Sequence, residues 1–352
     1  MNRIIFMLPD LSAGGAERVT ITIARLLHKE GYDVEFVNFG YHRGEMLDWI
    51  EPEFKMTSFN CERVLGAIPV LTKFMKTQQN SVYFASREHV NIIGLLCARI
   101  AGCKIVVRIP NMPRNTLTKG FSGLKMRIIK CINRWLLPSA KMVIAQNEEM
   151  KQQLLDYYSL STDKVIVINN PVDKNYVIAA AEGSDNPYNQ SETIFLNVCN
   201  IAFSKGIDIL IDAWDKVKSS IPNAHMYVVG RNGSGYARQL MERVKGREDF
   251  TFLGFQSNPY PYIKHCNCFV LPSRMEGFPN VVLEAMCFNR PVACSTCVDV
   301  IKKIITEGKN GFYCDIDNAD AIADCMIKAS QLKNIDNNYD LFDLDKLLRV
   351  FK

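Results

Sequence analysis

The chain has 352 residues, 48% of them hydrophobic and 22% charged, with 20 glycines and 14 prolines; at roughly 150 residues per domain this suggests two domains and a sizeable core, and excludes disordered, collagenous and disulfide-stapled chains. Forty-two Lys and Arg against 37 Asp and Glu leave a net charge of +5, too small alone to point to nucleic acid. No apolar run reaches the length of a membrane-spanning helix, and the opening Met1–Asp10 has too short an apolar stretch for a signal peptide, so a cytosolic protein is expected.

Taken in chain order, the first half alternates apolar runs with helical periodicity. Strands are expected at Arg3–Leu8, Val34–Phe39, Val82–Ala85, Lys104–Arg108, Met142–Ala145 and Val165–Ile168. Helices are expected at Ala16–Lys29, Val64–Lys76, Asn91–Ala101, Phe121–Leu137 and Glu148–Tyr158. Strands separated by helices pair in parallel, which makes this half a doubly wound sheet. Asn169–Asp173 is a turn cluster, and the polar stretch Glu182–Glu192 reads as a linker or exposed loop. The rhythm then restarts, with strands at Phe195–Val198, His225–Val229, Phe250–Leu253, Cys268–Leu271 and Pro291–Ala293. The helices between and after them are Gly206–Lys218, Tyr236–Lys245, Pro279–Phe288 and Ala319–Lys333, and Tyr339–Lys352 also reads as helical. The fold class is therefore α/β, with two Rossmann-like parallel-sheet domains expected to face a cleft where ligands of such sheets bind. The boundaries read as 1–172, 173–335, and a C-terminal helix over 336–352 able to pack on either domain.

Twelve cysteines are scattered from Cys61 to Cys325, many inside apolar runs. The close pairs Cys266/Cys268 and Cys294/Cys297 lack the second matching pair that a zinc site needs, so reduced, packed thiols are expected and no metal.

Three segments carry chemistry. Pro9–Arg18 follows the first strand and opens a helix, and Gly14 and Gly15 allow close backbone approach where free amides favour an anion. It lacks the Lys-Ser/Thr of a P-loop, and an ordinary strand-to-helix turn is the plainer reading. Asn200–Asp208 places Lys205 at a strand's carboxyl edge beside a helix start, suited to neutralising a diphosphate, against the commoner fate of a surface lysine. Pro272–Met286 is the richest: Glu276 and Gly277 in a loop, Pro279 in the first helical turn, and Glu284 among Val281, Val282, Leu283, Ala285 and Met286. A carboxylate held so closely by core residues is costly unless hydrogen-bonded, and sugar hydroxyls are natural partners. The plainer readings are a surface charge for Glu284 and a dipole-favoured helix-start acid for Glu276.

The pair Glu276 and Glu284, with seven residues between them, resembles the Glu-x7-Glu signature of retaining glycosyltransferases of the GT-B fold, family 4. Gly14–Arg18, Asn170–Asp173, Lys205-Gly206, Val229-Gly230, Phe252–Gly254, Pro291–Ala293 and Gly308–Phe312 follow in the family's order, so the resemblance covers most of the chain. It implies an acceptor bound by the first domain, 1–172, and a nucleotide-sugar donor, UDP before GDP, bound by the second, 173–335. Glu284 would hold the ribose hydroxyls and Glu276 those of the transferred sugar. Lys205 and the amides of Phe278–Asn280 would hold the diphosphate, and Gly14 and Gly15 would approach it from the first domain. Asn200, Ser273, Gly277, Pro279 and Val282 complete the implied donor set, with Glu276 and Lys205 catalytic. A leaving phosphate oxygen can take the acceptor's proton, so neither a side-chain base nor a cofactor is required, and His89 and His265 need no role.

Four positions depart from the family pattern. Cys199-Asn200 stands where Gly-Arg is usual, removing one cation, and Val300–Lys303 stands where Gly-Pro-x-Glu is usual, placing the basic Lys303 at the acid's position. Arg108–Asn111 replaces a loop that often carries His. Gly-Phe-Pro stands for Gly-Phe-Gly, a variation that also occurs among surface-polysaccharide transferases.

Between His89 and Asn147 there is no acidic residue but ten Lys and Arg, from Arg99 to Lys141 and including Lys119 and Lys125. Leu124, Ile128, Cys131, Ile132 and Trp135 recur at helical spacing, with Arg127, Lys130 and Arg134 on another face. Two readings stay open: a basic amphipathic helix for an anionic membrane surface, and a core-packed helix with a solvated basic side. No nucleic-acid recognition module accompanies the charge. The expectation is a hexosyltransferase building a surface glycan on a polyprenyl-diphosphate-linked acceptor, peripheral on the cytoplasmic face of the membrane. A GT-B sugar-nucleotide epimerase and a non-catalytic sugar-nucleotide-binding protein are the alternatives.

Overall fold

The structure, a computed structural model, describes residues 3–12, 14–50, 53–114, 123–333, 335, 337 and 341–352. Ala13 and Lys119, and residues 121–122, 339 and 340 of the two expected helices, lie outside the described residues, as do the side chains of Leu124 and Lys125. The chain forms two units that divide between Pro171 and Val172, and it returns to the first unit from Leu341 onward.

In the first unit, β1 (Arg3–Leu8), β2 (Asp33–Asn38), β3 (Lys55–Ser58), β4 (Val82–Ala85), β5 (Lys104–Arg108), β6 (Met142–Ala145) and β7 (Val165–Val167) form a parallel sheet of order β3-β2-β1-β4-β5-β6-β7. Ile4 to Leu8 are all at most 2% exposed, because a parallel sheet is covered on both faces. Side-chain alternation divides the core: Ile5, Met7, Tyr83 and Val107 pack on one side with Leu71, Leu95 and Leu154. Ile4, Phe6, Phe84 and Val106 pack on the other with helix Gly15–Lys29 and the C-terminal helix Leu344–Phe351. Phe351 is buried there, its ring centroid 6.2 Å from Phe84 and 6.4 Å from Tyr32.

In the second unit, β8 (Thr193–Val198), β9 (Ala224–Val229), β10 (Phe250–Gly254), β11 (Cys268–Leu271), β12 (Val292–Ser295) and β13 (Gly311–Cys314) form a parallel sheet of order β10-β9-β8-β11-β12-β13. Trp214, on helix Ile207–Ser220, is wholly buried and meets Phe195 and Phe250 edge-on, each at 5.9 Å.

Several expectations change. β3 and β13 were not foreseen: both are four-residue edge strands, Lys-Met-Thr-Ser largely polar and Gly-Phe-Tyr-Cys opening on a glycine with only three apolar residues after it. Short helices Lys174–Ala179 and Tyr260–His265 were likewise missed. The stretch 182–192 is not all exposed linker, because Tyr188 is buried, its ring 4.8 Å from Tyr227 and its hydroxyl donating to the Tyr262 carbonyl at 3.0 Å. All twelve cysteines are free thiols, and Cys266, Cys268 and Cys294 are buried.

In each sheet the winding reverses once, between β1 and β4 and between β8 and β11. At such a switch point the loops leaving neighbouring strands diverge and open a crevice at the carboxyl edge. Both polar clusters described next stand at these points.

Candidate active site

β8 and β11 are neighbours, with Phe195 beside Cys268, so the loops after them emerge together although they lie some seventy residues apart. After β8 the chain makes a short 3-10 turn, Phe203–Lys205, and enters helix Ile207–Ser220 through Gly206 at φ +67°. A Cβ at Gly206 would drive into the Pro272 carbonyl oxygen, so only glycine lets the two loops approach this closely. Lys205 Nζ thereby reaches Glu276, at 2.7 Å from Oε1 and 2.8 Å from Oε2. Ser273 Oγ donates to the same Oε1 at 2.7 Å, and Ser273 is itself held by Ser295, whose hydroxyl donates to its carbonyl.

The pair is largely withdrawn from water, the Lys205 side chain being 25% exposed and that of Glu276 12%. Burial lowers the affinity of Lys205 for its proton, but the adjoining Glu276 carboxylate outweighs this and holds the pKa above that of a free lysine. Beside them, burial pushes the Cys199 and Cys297 thiols up to about 12, so both are neutral. The cluster thus offers one fixed positive charge, one carboxylate and one hydroxyl at the edge of a sheet. That set suits a polyhydroxyl ligand bearing a diphosphate.

Arg274, given no role from sequence, fastens the two loops together. Its guanidinium donates to Asp208 at 2.8 and 2.7 Å and to the Phe203 carbonyl at 2.8 Å, pairs with Asp317, and lies over the Phe203 ring at 4.0 Å. Burial alone would raise the Asp208 pKa, but the hydrogen bonds from Arg274 bring it below the usual value. An arginine adjoining a Glu-Gly turn was the available signal, but its partners lie 43 to 71 residues away in the chain.

The other donor residues expected in the second unit lie on the same two loops and on the helix that follows the second of them. Gly277, Phe278 and Pro279 are buried in the turn, Pro279 caps helix Asn280–Cys287, and Glu284 is 7% exposed on that helix. Val282 is wholly buried and serves as packing, so its side chain does not line an open surface. Asn200 and Lys303 are exposed.

The first unit carries its own polar cluster where the loops after β1 and β4 emerge side by side. Gly14 caps helix Gly15–Lys29, and a Cβ there would strike the Glu17 carboxylate. Glu17 is 2% exposed and pairs with Arg87; burial raises its pKa while Arg87 draws it down. Beyond them Arg108, also 2% exposed, donates to Ser86 Oγ at 2.8 Å and to Asn170 Oδ1 at 2.5 Å. Asn170 donates onward to Gln146 Oε1 at 2.9 Å. Burial pushes Arg108 down to about 9, with Glu17 pulling it back up, so it stays charged at neutral pH. Arg108 drew notice in the sequence as a departure from the family and as one of ten basic residues, although a charge ending an otherwise apolar strand is a legible sign of a buried network.

Helix Gly123–Leu136 corrects the expected division of faces. Its core side is formed by Asn133, Leu136 and, in part, Ile132, whereas Ile128, Cys131 and Trp135 are exposed alongside Arg127 and Arg134. Arg99 lies over the Trp135 ring at 4.4 Å, and Lys130 over Tyr157 at 5.2 Å. Among the described residues no helix is long and apolar enough to cross a membrane.

Comparison with known proteins gives a consistent picture. Residues 181–340 match the family model described as Glycosyl transferases group 1, and residues 13–176 match Glycosyltransferase Family 4. An uncharacterized glycosyltransferase of Haemophilus influenzae is 25% identical over 97% of this chain and 92% of its own length. The N-acetylgalactosamine-N,N'-diacetylbacillosaminyl-diphospho-undecaprenol 4-alpha-N-acetylgalactosaminyltransferase of Campylobacter jejuni is 21% identical over 92% of this chain and 88% of its own. Among solved structures, Anabaena HepE in complex with UDP and glucose superposes with a TM-score of 0.77 at 18% identity, covering 99% of this chain and 98% of that one, which is a likeness of fold.

Proposed function

Since the chain belongs to the family 4 type of GT-B glycosyltransferases and is a glycosyltransferase, we propose that it moves a hexose or N-acetylhexosamine from a UDP-sugar to a lipid-linked surface glycan, with retention of anomeric configuration. The observation that carries this reading is the Lys205–Glu276–Ser273 cluster at the second unit's switch point, with buried Glu284 on the following helix. The UDP and glucose bound by HepE, and the undecaprenol-diphosphate substrate in the Campylobacter relative's name, support the donor and acceptor classes.

Lys205 and Glu276 neutralise each other in the free protein. Donor binding would bring the diphosphate to the Lys205 ammonium and sugar hydroxyls to the Glu276 carboxylate, so each charged group exchanges one partner for another. In the transfer step the bond from the anomeric carbon to the diphosphate oxygen breaks, and a bond to the acceptor oxygen forms on the same face. The acceptor's proton passes to the departing diphosphate. Negative charge grows on that leaving group, and a fixed ammonium beside it is the kind of preorganised stabilisation that lowers such a barrier. Lys205 can supply this charge without a metal. The exposed cationic face of helix Gly123–Leu136, with Trp135 and Ile128, would hold the protein to the anionic surface in which a polyprenyl acceptor is embedded.

The test is UDP release from a panel of UDP-hexoses and UDP-N-acetylhexosamines in the presence of lipid-diphosphate sugars, with the anomeric proton of the product read by NMR. Release with an α-linked product, unchanged by EDTA, is expected. Glu276→Gln should lower turnover about a hundredfold with a smaller loss of folding stability. A β-linked product, or no release from any donor, overturns the reading.

A further inference from the structure

The edge of the second unit's sheet carries a pair of cysteines that neither the donor chemistry nor the chain spacing accounts for. β13 ends on Cys314, and helix Ala319–Ser330 turns back over the same face of the sheet with Cys325 midway along it. Phe312 and Cys314 share the face of β13 that packs on the buried core containing Cys325. A further contact fixes the crossing: Lys328, one turn beyond Cys325, stands over the Phe312 ring at 5.9 Å. Here the two thiols are hydrogen-bonded to each other, although they are neither of the pairs that lie closest in the chain, Cys266/Cys268 and Cys294/Cys297.

The hydrogen bond divides the two sulfurs chemically. It holds the Cys325 thiol below its usual pKa, against the opposing pull of burial, and it raises that of Cys314, which burial raises further. Lys328 adds a favourable charge beside Cys325. One sulfur is thereby readied as a thiolate and the other stands by it as a thiol, the arrangement of a nucleophilic and a resolving cysteine. Cys314 is partly exposed at the sheet's edge, which gives a small oxidant a way in, and Cys325 is buried.

The pair also reaches the Lys205–Glu276 cluster through the backbone. The Cys314 carbonyl accepts from the Thr296 amide at 2.8 Å and from the Thr296 hydroxyl at 3.1 Å. Cys314 lies in register with Ser295, whose hydroxyl holds the Ser273 carbonyl, and Ser273 donates to Glu276. β13 is paired on one side only, so it is the element that yields when the sulfurs are drawn from hydrogen-bond to covalent distance. We propose that Cys314 and Cys325 form a modification site, which hydrogen peroxide converts reversibly into an intramolecular disulfide, and that this bond weakens nucleotide binding by the second unit through Ser295 and Thr296. The Cys325 sulfur attacks one peroxide oxygen to give a sulfenic acid and one water. The Cys314 sulfur then attacks the Cys325 sulfur and expels a second water, so two thiols and one peroxide give one disulfide and two waters. An external dithiol reverses the step by exchange. The effect on nucleotide rests on the transfer reading, whereas the disulfide itself does not.

The full chain is treated with hydrogen peroxide, digested without reduction and mapped by mass spectrometry. UDP binding is followed by calorimetry before oxidation, after it, and after reduction with dithiothreitol. A linked peptide joining Cys314 to Cys325 is expected, with the UDP Kd raised about tenfold and restored by dithiothreitol. Cys314→Ser and Cys325→Ala, checked for folding by circular dichroism, should each bind UDP like the untreated wild type and keep that affinity after peroxide. Linkage of other cysteines only, oxidation of either sulfur to sulfinic acid without linkage, or a linked protein with an unmoved Kd would each overturn the proposal. So would variants that lose UDP affinity on oxidation as the wild type does. A protein that forms the disulfide but binds UDP in neither state would sustain the redox pair and defeat the donor reading. UDP binding in a protein whose Cys314 and Cys325 stay reduced under peroxide would do the reverse.

Discussion

At the scale of single residues, the Lys205–Glu276 pair combines a functional role with a measurable share in stability. Removing one member of a fully buried ion pair costs about 3–5 kcal/mol, because the other is left uncompensated; with the ammonium 25% exposed, Lys205→Met should cost about 1–3 kcal/mol. The folded pKa of Lys205 is raised, so the group's contribution is complete below the free-lysine value of 10.5 and is lost as pH rises through the folded value. The difference in urea stability between wild type and Lys205→Met should therefore be flat from about pH 6 to pH 9 and shrink only above about 10.5. A difference that already closes between pH 8 and 9 would mean that the ammonium is not held by Glu276. Both residues could be named from sequence, since each lies in a loop with few plausible tasks for a charge. Arg274, Glu17 and Arg108 could not be given tasks that way, because each is defined by partners that only the sheet order brings near.

At the scale of elements, strands in the interior of a sheet were the most legible: β1, β4, β5, β6 and β11 have the bounds expected from their sequence. Edge strands β3 and β13 escaped notice because a strand covered on one side needs fewer apolar residues, and their pairing depends on the neighbour. Helix Gly123–Leu136 was legible in extent but not in orientation. Periodicity locates a stripe, yet which stripe faces inward depends on Asn133 and Leu136 packing onto the unit. The outward stripe joins Trp135 and Ile128 to Arg127 and Arg134, a composition suited to a bilayer interface. The protein should float with vesicles containing phosphatidylglycerol and not with neutral ones, and Trp135→Ala together with Arg134→Glu should abolish flotation. Wild-type protein that stays at the bottom of the gradient with anionic vesicles would remove the membrane assignment.

At the scale of the whole molecule, the sequence conveyed two parallel-sheet units, and it left the destination of the C-terminal helix open. The apolar face of Leu347, Val350 and Phe351 suits either unit by composition; the aromatic surroundings of Tyr32 and Phe84 distinguish them, and these are remote in sequence. Phe351→Ala should destabilise the first unit by about 3–5 kcal/mol. Hydrogen exchange should quicken in β1 and β4 and hold steady in β8 and β9. Equal acceleration in both sheets would show that the helix does not belong to the first unit alone.

The return of this helix also bears on biosynthesis. Residues 344–351 leave the ribosome only after 172–340 have been made, an interval on the order of 10–30 seconds at ~5–20 residues per second. Throughout it the nascent first unit displays an uncovered aromatic patch, so a chain paused or cleaved within that window would be a natural client for chaperones and a target for proteolysis.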